Sequence, residues 1–193
     1  GEKPLLVSRS GEQIRLTPLS NAGAGCGRRI EGRESMFQHL SPDTLFSLRG
    51  KVALITGAAG GIAFGLARAF AAAEAKLVLA DRNGSVVQRA DEFRRAGADA
   101  MALTFDVTDA AAVDRAIQEV IAEYARIDIV VNNAAIIVRK PFLELSLDEW
   151  KRVIDIDLTA CFVVAQQVTR TMVRQGSGRI INMSSIMNHV SRP

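Results

Sequence analysis

From about residue 48 onward, short apolar runs alternate with longer stretches of mixed polarity. The runs KVALIT (51–56), KLVLAD (76–81), AMALTFD (100–106), IDIVVN (127–132) and RIINMS (179–184) are rich in Val and Ile and have strand length. Between them lie segments 61–74, 84–96, 109–125 and 147–174, each long enough for a helix. The last opens with Ser146-Leu147-Asp148-Glu149, a capping-box arrangement, and is expected to stop near Gly176. Apolar strands separated by helices imply right-handed crossovers and a parallel sheet covered on both faces. The predicted fold class is therefore α/β, with a doubly wound parallel sheet. In such sheets, ligands bind beyond the carboxyl ends of the strands, where the strand order reverses.

Residues 1–47 show no sustained period and carry Gly, Ser, Pro and scattered charges, so they are expected to form an irregular extension ahead of a domain spanning 48–193. Glu2, Glu12, Glu31 and Glu34 argue against a mitochondrial transit peptide, and the apolar core of a secretory signal is missing. IEGR at 30–33 resembles a protease-cleavage linker, and Met36 would serve as a natural start.

Composition narrows the function classes. The 193 residues are 48% hydrophobic and 23% charged, enough for one domain with a core. The net charge of +3 is spread among interleaved acids and bases, which gives no sign of a nucleic-acid partner. Cys26 and Cys161 are isolated, and His39 and His189 make no ligand cluster, so neither a disulfide framework nor a metal site is expected. No run is long enough for a membrane helix. A soluble, cytoplasmic protein is the expectation.

The stretch TGAAGGIA (56–63) falls where the first strand gives way to a helix. A helix start there directs unpaired amides and the positive end of its dipole at the loop, which favours a pyrophosphate. Gly57, Gly60 and Gly61 remove Cβ atoms where the backbone turns or meets the ligand, and Ala59 and Ile62 complete the turn. Neither Lys-Ser nor Lys-Thr follows, which excludes a nucleoside-triphosphate P-loop, and the spacing is not GxGxxG. It resembles the TGxxxGxG turn of the short-chain dehydrogenase/reductase family. Asp81, closing the second strand, lies where dinucleotide folds place an acid on the adenosine ribose. That favours NAD over NADP, since one like-charge pair at ~4 Å costs up to about 4 kcal/mol at an effective dielectric near 20. Neighbouring Arg82 would soften the repulsion. Asp106 and Val107 match the family's pair bordering the adenine. Asn132-Asn133-Ala134-Ala135 resembles its NNAG stretch, which steadies the sheet and lines the cofactor.

The resemblance, which runs from about residue 48 to Pro193, implies a Rossmann-like NAD(P)-binding domain and an oxidoreductase acting on an alcohol or carbonyl substrate. It also implies a homo-oligomer at full length. Ser185, in INMSS, aligns with the family's catalytic serine, and Ser184 beside it reads as structural. The family's Tyr-x-x-x-Lys is not reached before Pro193, so the sheet is expected to be truncated after its fifth strand and turnover to be weak. Tyr124, on a predicted helix and followed by Asp128 where a Lys would be needed, cannot substitute. Ala63 and Ala135 replace motif glycines, and Asp157 replaces the proton-relay asparagine, keeping an acceptor but, when ionised, offering no NH2 donor.

NNAAIIVRKPFLELSLDEW and INMSSIMNHVSRP look most like the sugar-acid branch, gluconate 5-dehydrogenase and 2-deoxygluconate 3-dehydrogenase. Arg139 and Lys140 read either as carboxylate holders or as a solvated loop pair. Cys161, among Leu158, Phe162 and Val163, reads as a packed small hydrophobe, and Trp150 and the phenylalanines as core or subunit contacts. A non-catalytic dinucleotide-binding or assembly module stays open as the alternative.

Overall fold

The computed structural model describes residues 42–185. Of the two units into which the chain divides, Gly1–Gln38 lies wholly outside them, and with it Cys26, IEGR and Met36. His39 and His189 lie outside them as well. After a helical turn at Pro42–Leu45 come β1 (Val52–Thr56), α1 (Gly61–Ala72), β2 (Lys76–Asp81), α2 (Val86–Arg95), β3 (Ala100–Thr104), α3 (Ala110–Tyr124) and β4 (Ile129–Asn132). Then follow a 3-10 turn (Phe142–Glu144), α4 (Leu147–Ile154), a π-helical segment (Asp155–Thr159), α5 (Ala160–Gln175) and β5 (Arg179–Asn182).

All strand pairs are parallel, in the order β3-β2-β1-β4-β5. Alternation along each strand separates two cores. Val52, Leu54, Val78 and Val130 face α3 and α5, packing with Val113, Ile117, Val164 and Val168. Ala53, Ile55, Leu77, Leu79 and Val131 face α1 and α2, packing with Ala63, Ala67, Val86 and Phe93. Burial on both faces is the reason these strands read as unbroken apolar runs. The sheet is the doubly wound α/β arrangement expected, and its strand order reverses between β1 and β4.

Strand ends differ from the apolar runs for identifiable reasons. The run 127–132 becomes a strand only at Ile129, because the Gln175 side chain takes both the amide and the carbonyl of Ile127, each at 2.9 Å. Phe105 still donates to the Asp81 carbonyl at 3.1 Å, although β3 ends at Thr104. The helix expected over 147–174 is interrupted in its hydrogen bonding: at Asp155–Thr159 it widens, with Ala160 donating to the Asp155 carbonyl. The inward positions Ile156, Ala160, Val164, Val168 and Met172 keep a spacing of four through this segment, so the apolar pattern does not reveal it.

Trp150 is not a core residue. It is 52% exposed, α4 buries none of its residues, and Phe162 and Leu158 are exposed too. Cys161 is half-buried and donates from Sγ to the Asp157 carbonyl at 3.3 Å, which places it beside the π segment, next to the exposed Leu158 and Phe162. Phe64 and Phe93 do pack, with ring centroids 5.3 Å apart.

At the amino ends of the strands, buried Asp128 accepts from the Val52 amide at 3.0 Å, from Arg126 Nε at 2.7 Å and from Lys51 at 3.4 Å. Burial opposes its charge, but Arg126, the Val52 amide and Lys51 outweigh this and hold the carboxyl below the usual range. A lowered folded pKa means the stabilisation is full above the unfolded value of about 4 and is lost as pH falls through the folded value. Asp128→Ala leaves the Val52 amide and Arg126 unpaired and should cost about 2–3 kcal/mol in urea unfolding at pH 7. The difference between variant and wild type should shrink below pH 4. A gap that persists there would show that the charge is not its source.

Candidate active site

The carboxyl ends of β1 and β4, where the strand order reverses, are tied together by side chains. Thr56 Oγ1 donates to the Val131 carbonyl at 3.3 Å and accepts from the amides of Asn133 and Ala134, both at 3.1 Å. Asn133 Nδ2 returns to the Thr56 carbonyl at 3.0 Å. Asn132 Nδ2 donates to Asn182 Oδ1 at 2.9 Å and to the Cys161 carbonyl at 3.2 Å, linking β4 to β5 and α5. Thr56 was not singled out from sequence; its place opening the glycine turn was the available signal.

Beyond these ends lies a cavity of about 390 Å³. Every residue expected on the cofactor side lines it except Ala59, and it adds Phe105, Ile136 and Ile156. The latter three carry no motif; they enter as the apolar wall between the polar positions.

The glycine turn is closed by Gly60 donating to the Gly57 carbonyl at 3.1 Å, and Gly57 has φ +68°. The N-cap of α1 is Gly60, with no side-chain cap and no acid in the first turn. By contrast, Asp109 caps α3 through the amides of Ala111 and Ala112, and Ser146 with Glu149 makes the expected capping box on α4. Helix geometry leaves the first amides of α1 without intrahelical acceptors, and Gly61 and Ile62, which carry two of them, line the cavity. A Cβ at Gly61 would meet no atom within 4 Å. Ala63, in place of the motif's third glycine, turns its methyl into the core, fully buried, and is absent from the cavity wall.

Next to the turn, Asp81 accepts from the Ala59 amide at 3.0 Å and from the Asn83 amide at 2.8 Å, and Arg82 beside it is exposed. Asp106 accepts from the Thr108 amide at 2.9 Å and from its hydroxyl at 2.7 Å; these bonds, helped by the charges of Arg82 and Arg152, hold its carboxyl below the usual range.

The residues expected on the catalytic side, Asp157 and Ser185, do not line that cavity. Asp157 lies in the π segment, exposed, and its Oδ1 accepts from the Ile136 amide at 2.9 Å, which fixes the loop after β4. Ser184 and Ser185 stand exposed just past β5. Lys140 is paired with Glu149, whose carboxyl is drawn down to about 2 first by that lysine and then by the Ser146 amide and hydroxyl. Arg139 is exposed and makes no ion pair within 4.0 Å among the described residues. Tyr124 sits at the opposite end of the sheet, donating to Asp99 Oδ1 at 2.8 Å beneath Lys76, and burial together with that acid pushes its phenol well above the usual range. Among the described residues there is no group of His, Cys, Asp and Glu that would hold a metal, and no helix is long and apolar enough to cross a membrane.

The family described as short chain dehydrogenase matches residues 51–193. The chain belongs to the short-chain dehydrogenase family. Within it, this chain is 36% identical over 153 residues to the 2-dehydro-3-deoxy-D-gluconate 5-dehydrogenase of Formosa agariphila, covering 77% of this chain and 57% of that one. The solved structure of a gluconate 5-dehydrogenase from Burkholderia cenocepacia J2315, in complex with NADP and tartrate, superposes with a TM-score of 0.72 at 41% identity, over 77% of this chain and 58% of that one. An NAD+-bound xylitol dehydrogenase does so at 0.72 and 31% identity, over 75% and 56%. The chain thus spans less than two thirds of the length of these three dehydrogenases.

Proposed function

We propose that this chain carries the nicotinamide-nucleotide site of an oxidoreductase acting on a hydroxyl or carbonyl carbon of a sugar acid or polyol, with NAD preferred to NADP. The observation that carries the reading is the uncapped start of α1 opening, at a glycine whose Cβ position is clear of other atoms, into a cavity also lined by the Asp81 carboxylate. That donor set fits a dinucleotide: first-turn amides for the diphosphate, Asp81 for the ribose hydroxyls, and Asp106 with Val107 beside the adenine. When bound, a nicotinamide nucleotide supplies the two-electron redox chemistry.

The chain's own groups handle orientation and protons. Asn133, Ala134 and Ala135 wall the cavity toward β4. Ser185 hydrogen-bonds the reacting oxygen. Asp157, held against Ile136, accepts a proton-bearing donor on the relay side. Because Lys140 is engaged by Glu149, Arg139 is the cation of that loop left to hold a substrate carboxylate. Relatives named for gluconate-type substrates support the acid assignment. Since relatives carry NADP or NAD+, the preference rests on Asp81 facing a 2′-phosphate.

Calorimetric titration of the 193-residue chain should show NAD+ binding about tenfold more tightly than NADP+, a difference of about 1.4 kcal/mol. Absence of heat with either nucleotide overturns the reading. Nucleotide reduction, followed by absorbance over a panel of sugar acids and polyols, tests the substrate class, and oxidation of uncharged alcohols alone removes Arg139 from its role.

A further inference from the structure

We propose that Asp81 is a positioning residue for the glycine turn as well as a ribose ligand: its carboxylate clamps the turn and so decides which backbone amides remain for the nucleotide's phosphates. The proposal rests on the nucleotide reading above.

The parallel ladder between β1 and β2 ends at Thr56 opposite Ala80. Ala58 adds one more rung, donating to the Ala80 carbonyl at 3.0 Å. Gly57, at φ +68°, has by then swung the chain out of strand geometry, so the next amide, Ala59, has no strand carbonyl to meet. Asp81 Oδ2 receives it at 3.0 Å, so that a side chain one residue further along β2 continues the ladder the backbone has left. The following amide, Gly60, is taken by the Gly57 carbonyl at 3.1 Å. Three successive amides are thereby engaged by the protein, and those of Gly61 and Ile62, which line the cavity, are the next in line for an anion.

The other carboxylate oxygen does similar work on the turn that follows β2. Oδ1 accepts from Asn83 at 2.8 Å, and Asn83 Oδ1 accepts from Ser85 at 3.0 Å at the start of α2. One carboxylate therefore joins the β1–α1 turn to the β2–α2 turn. An ionised carboxylate offers about four acceptor positions. Two are used by these amides, and two are left for the vicinal ribose hydroxyls in the cavity that Asp81 lines. Clamping and gripping fit on the same group at once. A consequence is that Asp81 replacement will not act as a clean exchange of NAD for NADP, because it also loosens the phosphate site that the two nucleotides share.

The test separates the two roles with ADP and 2′,3′-dideoxy-ADP, which share the diphosphate and differ in the ribose hydroxyls. Titrated by calorimetry onto Asp81→Ala, dideoxy-ADP should bind about tenfold more weakly than to the wild type, and ADP should lose more than that. Dideoxy-ADP binding equally well to both proteins overturns the clamp. In the ligand-free wild type, the Ala59 amide should exchange with solvent at least about tenfold more slowly than that of Gly61; equal exchange also overturns it, with no dependence on a variant folding. A wild type that binds neither ADP nor NAD+ while Ala59 stays protected overturns the nucleotide reading and the phosphate part of this proposal together. That result is distinguishable from a failed clamp, in which binding survives and protection does not.

Discussion

Gly57→Ala should destabilise the chain by about 3 kcal/mol or more, read as a fall in the urea midpoint. Two independent costs meet at this position. Its φ of +68° lies in the left-handed region, where a residue with a Cβ is strained by about 1–2 kcal/mol. An ideal Cβ there would also stand 2.8 Å from the Ala134 Cα and 3.0 Å from the Ala134 amide nitrogen. Both are backbone atoms of the segment fixed by Thr56 and Asn133, so relief requires moving the end of β4 away from β1, at about 1–3 kcal/mol more. Gly97→Ala is the control, because Gly97 has φ +88° and nothing within 4 Å of its Cβ position. It carries the backbone cost without the collision and should lose only about 1 kcal/mol. Equal losses for the two variants would mean that the close approach of β1 to Ala134 is not a constraint on the fold.

This contrast also shows what was legible in the sequence. The pattern of apolar runs carries the layer order, because a strand buried on both faces needs Val, Ile and Leu at every position, as in Ile55 and Val78. The residues that line the cavity were legible because they follow strands and include residues unusual there: glycine for a left-handed turn, aspartate at the end of β2, asparagine after β4. What stayed hidden depends on partners far along the chain. The late start of β4 is dictated by Gln175, 48 residues from Ile127. The π segment leaves the inward spacing of four undisturbed. The exposure of Trp150 cannot be told from a single helix, since periodicity identifies a face without identifying what covers it. Lys140 looked equivalent to Arg139 until the capping box brought Glu149 to it.

Gly61→Val should leave the fold nearly untouched and weaken NAD+ binding at least about 100-fold, or about 2.7 kcal/mol. Gly61 is the first residue of α1, where any L-residue is accepted, and its Cβ would meet no protein atom within 4 Å. The unfolding midpoint should therefore move by no more than the difference in helix propensity, well under about 1 kcal/mol. The empty space beside it is the wall of the cavity at the start of the helix, and a branched side chain there occupies the volume through which a diphosphate reaches the first-turn amides. The glycine is then required by a ligand and by nothing within the chain, which is the reverse of Gly57. Adenosine, which has no phosphate to place there, should lose far less affinity than NAD+ in the same variant. A stable Gly61→Val protein that binds NAD+ as well as the wild type does would mean that the anion is held elsewhere, and the start of α1 would no longer explain why this cavity is built from glycine.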